Sequence, residues 1–149
     1  EVLHTVAAFL NTVGGTLLIG VKDKPTSWGD KPAEVFGLEN DYKIMGKGQD
    51  ADTYVRNVYE VLNRGFGDTS TAAGFVDVEI EEYEGKDICR IDVKPLPKIR
   101  DGELYIKERS DDKNEKRFYV RIGTSSQKQS MQSAVRYIRD NFPPPNATN

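Results

Sequence analysis

The chain has 149 residues, of which 37% are hydrophobic and 30% are charged, and its formal net charge is −3. This length suits one domain with a single core, and the composition excludes a disordered chain. The acidic balance argues against a domain that coats nucleic acid with uniform positive charge. The longest apolar run, residues 17–21, is too short to cross a bilayer.

Cysteine usage indicates the cellular compartment. Cys89 is the only cysteine, so no internal disulfide can form. A lone thiol is typical of a reducing compartment. No basic leader or signal peptide opens the sequence. We therefore expect a cytoplasmic protein without a membrane partner.

The chain opens with a predicted helix. Residues 2–13 place their apolar side chains on one helical face, and Gly14-Gly15 supplies the glycine that ends such a helix. A strand is expected over residues 16–21. Because this strand is apolar on both faces, we predict a central position in the sheet.

A loop and a second helix follow. Residues 22–40 are polar and contain several Gly and Pro residues, which predicts an irregular loop with a short extended piece at 35–38. The apolar spacing predicts a helix over about 52–64, capped by Asp50 or Asp52.

The clearest pattern lies in residues 76–94, where apolar and charged residues alternate on both sides of Glu84-Gly85. This predicts a hairpin with a two-residue turn, in which Glu79 lies opposite Arg90 on the solvent face. The pairs predicted on the buried face are Ile80 with Cys89, Val78 with Ile91, and Val76 with Val93.

Two more strands and a last helix are expected near the C-terminus. The strands are predicted at 104–107 and 117–122, on either side of a charged loop at 108–116. Ser126 and Gln129 match a capping box for the helix. Its predicted apolar stripe consists of Met131, Ala134, Val135, Ile138 and Phe142.

The element order predicts an α+β fold, with a mixed β-sheet, an antiparallel hairpin in the C-terminal half and about three packing helices. We expect one domain over residues 1–142 and a Pro-rich linker over 143–149. Because the sequence begins inside a predicted helix and ends in this linker, we expect other domains of the same chain on both sides. The oligomeric state stays open, a homo-oligomer included.

Most enzyme signatures are absent from the sequence. It contains no phosphate-binding lysine loop, no dinucleotide fingerprint and no nucleophilic serine elbow. One histidine and one cysteine exclude the common zinc clusters. His4 lies within the first predicted helix, where we interpret it as structural. We expect no cofactor.

Two polar features surround the first strand. Gly14 and Gly15 form either a tight turn or a place where backbone N–H groups approach a phosphate. Asn11 either caps this turn or faces a ligand. Asp23, directly after the strand, is either a metal ligand or a solvated loop residue. Lys22 and Lys24 flank it as candidate phosphate contacts.

A second candidate region is basic. Between residues 94 and 121 the sequence has more Lys and Arg than Asp and Glu, and one basic face suffices to bind a polyanion. Alternation places Arg121 beside Tyr119 on one strand face, where arginine suits a phosphate or a stacked base. The alternative is a salt bridge near Glu79. Lys128 is a weaker candidate contact.

Two segments carry a recognisable pattern. Residues 5–23 read TVAAFLNTVGGTLLIGVKD, a helix, a glycine turn and an apolar strand, and residues 118–126 read FYVRIGTSS. With the FGL step at 36–38, their order and spacing resemble the Schlafen AlbA-like DNA-binding domain family across nearly the whole chain.

The resemblance implies an AlbA-like α+β fold and a module that binds nucleic acid, usually DNA, in bacterial and archaeal regulators, often beside an ATPase-like region. Similar domains of animal Schlafen proteins cleave transfer or ribosomal RNA with three acidic residues. Asp23 matches one of these positions. The other two belong to a glutamate motif before the first helix, which this sequence lacks.

The leading hypothesis is a nucleic-acid-binding module, for DNA in particular, of a larger regulator of transcription. Its candidate contacts are Asn11, Gly14, Gly15 and Arg121, with Lys22, Lys24 and Lys128 as weaker ones. One alternative is a metal-dependent ribonuclease that uses Asp23 with glutamates outside this sequence. Another is a module for protein interaction or oligomerisation.

Overall fold

A computed structural model describes residues 1–22, 33–46, 48, 50–67, 69–99, 103–107 and 115–144. It confirms the predicted α+β class. The elements in chain order are α1 (Val2–Asn11), β1 (Gly15–Ile19), β2 (Val21–Lys22), β3 (Glu34–Val35), α2 (Glu39–Met45), α3 (Ala51–Phe66), α4 (Thr69–Phe75), β4 (Val76–Tyr83), β5 (Lys86–Val93), β6 (Ile106–Lys107), β7 (Lys116–Arg117), β8 (Tyr119–Ile122), β9 (Ser125–Lys128) and α5 (Met131–Asn141). No helix within these described ranges is long and apolar enough to cross a membrane.

The β4–β5 hairpin has the predicted register, with Ile80 opposite Cys89, Val78 opposite Ile91 and Val76 opposite Val93. Glu84 (φ 52°) and Gly85 (φ 75°) both adopt left-handed backbone, as a tight two-residue turn requires. All six apolar residues pack in the core cluster, although Ile80 is only half-buried. Arg90 binds Glu79 across the solvent face at 3.2 Å.

The largest sheet has the strand order β1-β5-β4, so the prediction of a central position for β1 is wrong. Leu17 and Ile19 contact the core, whereas Leu18 is 43% exposed on the other face. A short apolar run does not distinguish an edge strand with one exposed leucine from a central strand. The five strand pairings found among the described residues are all antiparallel, whereas the sequence predicts a mixed sheet.

Two long helices cover the inner face of this sheet. In α1, every residue from 5 to 11 is buried. In α3, the Asp50 side chain accepts a hydrogen bond from the backbone N–H of Thr53 at 3.0 Å, which confirms it as the N-cap. The helix ends at Gly67, whose φ of 68° is the left-handed geometry of a C-cap.

Two helices were not expected from the sequence. Both α2 and α4 have seven residues, about two turns, and the apolar period of a helix is not readable over so short a stretch. The part of the chain described by the structure therefore contains five helices, where the pattern predicts about three.

The C-terminal region differs from its prediction in one element. Residues 125–128 form strand β9, so the predicted capping box at Ser126 and Gln129 is wrong. Helix α5 begins at Met131, and the Ser130 hydroxyl accepts its capping hydrogen bond from the Ser133 N–H at 3.2 Å. The local pattern favours both serines as caps, and pairing with β8 decides between them.

The predicted apolar stripe of α5 is only partly buried. Ala134 and Phe142 are buried, and Ile138 packs against the cluster that contains Ala134. Met131 is 85% exposed and Val135 is 62% exposed, so these two residues are corrected to the surface. The residues of α5 that pack with Phe118 and Val120 are Ala134, Tyr137 and Ile138, so Met131 and Val135 are not needed for this contact.

A tyrosine side chain closes the outer edge of β4. The Tyr59 hydroxyl of α3 donates a hydrogen bond to the Val76 carbonyl oxygen (3.1 Å) and accepts one from the Val78 N–H (3.2 Å). The two backbone groups at this edge are thus satisfied by a side chain instead of a further strand.

Candidate nucleic-acid interface

Strand β8 lies between helices α5 and α1, and its alternate side chains contact one helix or the other. Phe118, just before it, and Val120 pack with Ala134 of α5. On the other side, the Tyr119 ring stacks on His4 of α1 with 4.5 Å between ring centroids. Tyr119 shares a strand face with Arg121 as predicted, but it is buried, so the expectation that its ring is open to a stacked base is wrong. The stacking of His4 fits a structural role.

Arg121 is half-buried on the α1 side of β8. Its guanidinium lies 5.1 Å from the centre of the Phe9 ring, and Nη1 donates a hydrogen bond to the Ser126 hydroxyl at 2.9 Å. That hydroxyl lies 3.4 Å from the Thr5 hydroxyl. These contacts hold the guanidinium in place without neutralising its charge.

Arg121 has no carboxylate partner within the described residues. Glu79, the acid near which a salt bridge was considered, instead binds Arg90 at 3.2 Å. That alternative for Arg121 is therefore wrong. A positioned arginine without a counter-charge is suited to bind an anion, because its planar fork matches the oxygens of a phosphate.

Gly15 lies close to the same aromatic ring. A Cβ atom added at Gly15 would lie 2.7 Å from the Phe9 ring, so glycine is needed for this close approach. The structure thus brings two of the predicted site residues, Gly15 and Arg121, into contact with Phe9.

Gly14 has a structural role in the turn between α1 and β1. Its φ is 78°, and its N–H donates to the Phe9 carbonyl oxygen at 2.9 Å. A Cβ atom at Gly14 would lie 2.5 Å from the Val93 carbonyl oxygen. The geometry favours the tight-turn interpretation for Gly14, because its N–H is already bonded within the protein.

Asn11 is fully buried, which corrects its expected role as a surface contact. Its amide nitrogen donates to the carbonyl oxygens of Leu104 and Tyr119, both at 3.0 Å, and its amide oxygen accepts from the Leu104 N–H at 2.9 Å. The side chain has no group left for a ligand. It fixes the end of α1 against β8, and thereby the position of Arg121 two residues further along that strand.

Lys98 also bonds to Asn11, and the sequence predicts it only as part of the general basic stretch. Its ammonium group donates to the Asn11 carbonyl oxygen at 3.0 Å and lies 4.6 Å from the centre of the Phe142 ring. Burial lowers the pKa of Lys98. In the sequence, Lys98 differs from other lysines only in that it follows Pro95 and Pro97. Its aromatic neighbour, Phe142, lies far along the chain, so this position does not predict the contact.

The remaining candidate residues are Lys22, Asp23 and Lys24. Lys22 is exposed, with its ammonium group 5.7 Å from the Phe36 ring centre. Asp23 and Lys24 lie outside the described residues. Within the described ranges, no three His, Cys, Asp or Glu side chains are grouped to hold a metal ion.

Lys128 belongs to the same side of the β8–β9 hairpin as Arg121. The register pairs Arg121 with Ser126 and Tyr119 with Lys128, so these four residues share one side. We call Arg121, Ser126 and Lys128, with the adjoining Thr5, the Arg121 face. Lys128 is exposed and lies 3.4 Å from the Glu115 carboxylate.

A family model for Schlafen, AlbA_2 matches residues 1–130. The chain belongs to the Schlafen AlbA_2 family. The match confirms the resemblance carried by residues 5–23 and 118–126. It covers the whole Arg121 face and ends directly before α5.

Two solved structures are similar to this family member. The DIP2311 protein from Corynebacterium diphtheriae is 20% identical, with a TM-score of 0.53 over 95% of this chain and 22% of that chain. The N-terminal domain of a RecG-related protein from Nitrosomonas europaea is 24% identical, with a TM-score of 0.46 over 87% of this chain and 75% of that one. The first shows a shared fold, and this chain spans about a fifth of its length. No curated protein matches the chain in sequence.

Proposed function

We propose that this domain binds nucleic acid through the Arg121 face and does so mainly by contacts with phosphate groups. The observation that carries the proposal is the state of Arg121, which is held by Phe9 and Ser126 and has no carboxylate partner among the described residues. Membership of the Schlafen AlbA_2 family supports the same function.

The chemistry of the face supports phosphate recognition over base recognition. Arginine can donate two parallel hydrogen bonds to phosphate oxygens, and the neighbouring serine and threonine hydroxyls are further donors. Sequence preference requires side chains that reach base edges, and this face presents short hydroxyl groups beside its cations. We therefore propose weak binding without sequence preference, to DNA first and RNA second.

The net charge of −3 is compatible with this proposal. Three carboxylates, Glu79, Glu81 and Asp92, surround Arg90 on the solvent face of the β4–β5 hairpin. Much of the acidic excess therefore belongs to a different hairpin from the Arg121 face. A local basic surface binds a polyanion although the whole domain is acidic, because salt screens charges more than about 8–10 Å away.

The wider setting is also a proposal. We propose that the domain acts within a larger cytoplasmic regulatory protein of a bacterium or an archaeon, where neighbouring domains supply additional affinity. Linking a weak phosphate-binding module to a second module raises the overall affinity without new contacts.

Fluorescence anisotropy with labelled single-stranded and duplex DNA tests the binding. Affinity should fall steeply between about 50 and 200 mM salt, because binding releases counterions. Arg121→Gln, which keeps a hydrogen-bond donor for Ser126, should weaken binding about 10-fold and reduce the salt slope for duplex DNA by about 0.9.

Arg136→Gln is the matched control, because Arg136 is an exposed arginine of α5 that lies outside the Arg121 face. It should have a smaller effect than Arg121→Gln. The proposal fails if the wild-type domain binds none of these nucleic acids at low salt, and the protein-interaction alternative then takes first place.

A further inference from the structure

Glu115 is placed so that it neutralises two cations at once. Its carboxylate accepts hydrogen bonds from Nε of Arg117 at 3.2 Å and from Nη2 at 3.1 Å. The same carboxylate accepts one from the Lys128 ammonium group at 3.4 Å. Both carboxylate oxygens are therefore engaged by cations.

This arrangement matches the way in which proteins bind phosphate. An arginine fork that meets two oxygens, with a lysine added as a point charge, is a common pattern for phosphate as well as for carboxylate. The side chains of Glu115, Arg117 and Lys128 all keep exposed area, between 25% and 48%, so an anion from solution can reach the group.

The group adjoins the Arg121 face. Lys128 lies on the same side of the hairpin as Arg121, in the diagonal cross-strand position, which places the Cα atoms of the two residues about 7–8 Å apart. One strand of a duplex carries a charge about every 3.4 Å along the helix axis, so a span of about 7–8 Å covers roughly two phosphates. A strand that contacts Arg121 thus passes the cations held by Glu115.

We infer that Glu115 acts as an internal substitute for a phosphate group, which masks Lys128 and Arg117 and must be displaced when nucleic acid binds. The inference rests on the proposed function. It deepens that function, because it names a residue of the chain that limits the affinity of the interface.

Two electrostatic consequences follow from the masking. A carboxylate within hydrogen-bonding distance largely cancels the attraction of these cations for an incoming phosphate, so the wild-type face acts mainly through Arg121. The hydrogen bonds from Arg117 and then Lys128 also lower the pKa of Glu115, which keeps the mask ionised at neutral pH.

Glu115→Gln tests the inference, because the amide has nearly the same size and lacks the charge. It should tighten binding to labelled single-stranded and duplex DNA about 5-fold at low salt, and steepen the salt slope for duplex DNA by about 0.9 through the release of Lys128. Lys128→Gln, added to Glu115→Gln, should remove part of this gain.

Glu82→Gln is the matched control. It makes the same change in net charge at an exposed residue of β4, and Glu82 has no ion pair with another described residue. Thermal unfolding of each variant checks that the domain stays folded, and Glu115→Ala serves as a second neutral variant.

Titration with inorganic tripolyphosphate, run beside the DNA titrations, separates this inference from the proposed function. If DNA binds but Glu115→Gln behaves like Glu82→Gln, masking is refuted and the proposed function stands. If no variant binds DNA while Glu115→Gln gains affinity for tripolyphosphate, masking stands and the proposed function is refuted. If Glu115→Gln gains affinity for neither anion, the inference is overturned whatever the wild type binds.

Discussion

The side chain of Asn11 forms two hydrogen bonds with the backbone of Leu104, one to its carbonyl oxygen at 3.0 Å and one from its N–H at 2.9 Å. A side-chain amide thus pairs with a peptide group as a neighbouring strand would. The two residues are 93 positions apart, and a third hydrogen bond reaches Tyr119. One buried amide therefore joins the end of α1 to two later segments.

Asn11→Ala should lower the free energy of unfolding by about 2 kcal/mol or more, because it leaves buried backbone groups of Leu104 and Tyr119 without partners. Urea unfolding followed by circular dichroism measures the change. Asn57→Ala, at an exposed position of α3, is the control and should change stability by less than about 0.5 kcal/mol. Equal stability of the two variants would contradict the structural role of Asn11.

Gly14→Ala should destabilise the domain more than Gly48→Ala. The two glycines have nearly the same backbone angle, with φ of 78° and 77°, so both alanines bear the left-handed strain of about 1 kcal/mol. Only at Gly14 would the new Cβ lie 2.5 Å from a backbone oxygen, whereas no atom of the described residues lies within 4 Å at Gly48. Thermal melts of both variants measure the difference, and a larger loss at Gly48 would show that the packing at this turn is not as described.

The sequence predicts those parts of the fold that local chemistry determines. The β4–β5 hairpin follows from alternation and from a two-residue turn that contains glycine, which readily adopts left-handed backbone, so its register is correct residue by residue. The position of β1 depends on which strand lies beside it. Five apolar residues do not contain that information, and its prediction failed for this reason.

Burial of Cys89 raises the pKa of its thiol from 9.0 to about 11. The unfolded chain therefore ionises at lower pH than the folded one. The contribution of this group to stability is complete below about pH 9 and is lost as the pH rises through about 11. The difference in unfolding free energy between the wild type and Cys89→Ala should shrink between pH 8 and pH 10.5, as measured by urea unfolding. A constant difference would contradict the raised pKa.

This chain should leave transfer RNA and single-stranded DNA intact in the presence of Mg²⁺ or Mn²⁺. Metal-assisted cleavage needs carboxylates that converge on a cation, and no such group of three exists among the described residues. Glu79 and Glu81 are bound to Arg90 instead. Gel electrophoresis of the incubated substrates measures the result. Cleavage that disappears in Asp23→Ala would make the ribonuclease alternative the leading one.

The candidate site was only partly predictable for a physical reason. Arg121 could be singled out by its alternation and its motif, because both are local features. Asn11 also lies in a motif of the family, yet its three hydrogen-bond partners are backbone groups of Leu104 and Tyr119, far along the chain. Whether a polar residue beside a glycine turn meets solvent or a buried carbonyl depends on those distant segments. Glu115 was missed because a charged loop gives no indication of which acid faces which base.

Tyr59 places its hydroxyl between the Val76 carbonyl oxygen and the Val78 N–H, the two groups by which another polypeptide would attach to β4. An incoming strand must first expel a phenol that is anchored in α3 and packed against the core. One aromatic side chain therefore blocks the beginning of this sheet edge. At this position the domain resists the addition of a further strand, which is the step that leads to strand exchange or fibril formation.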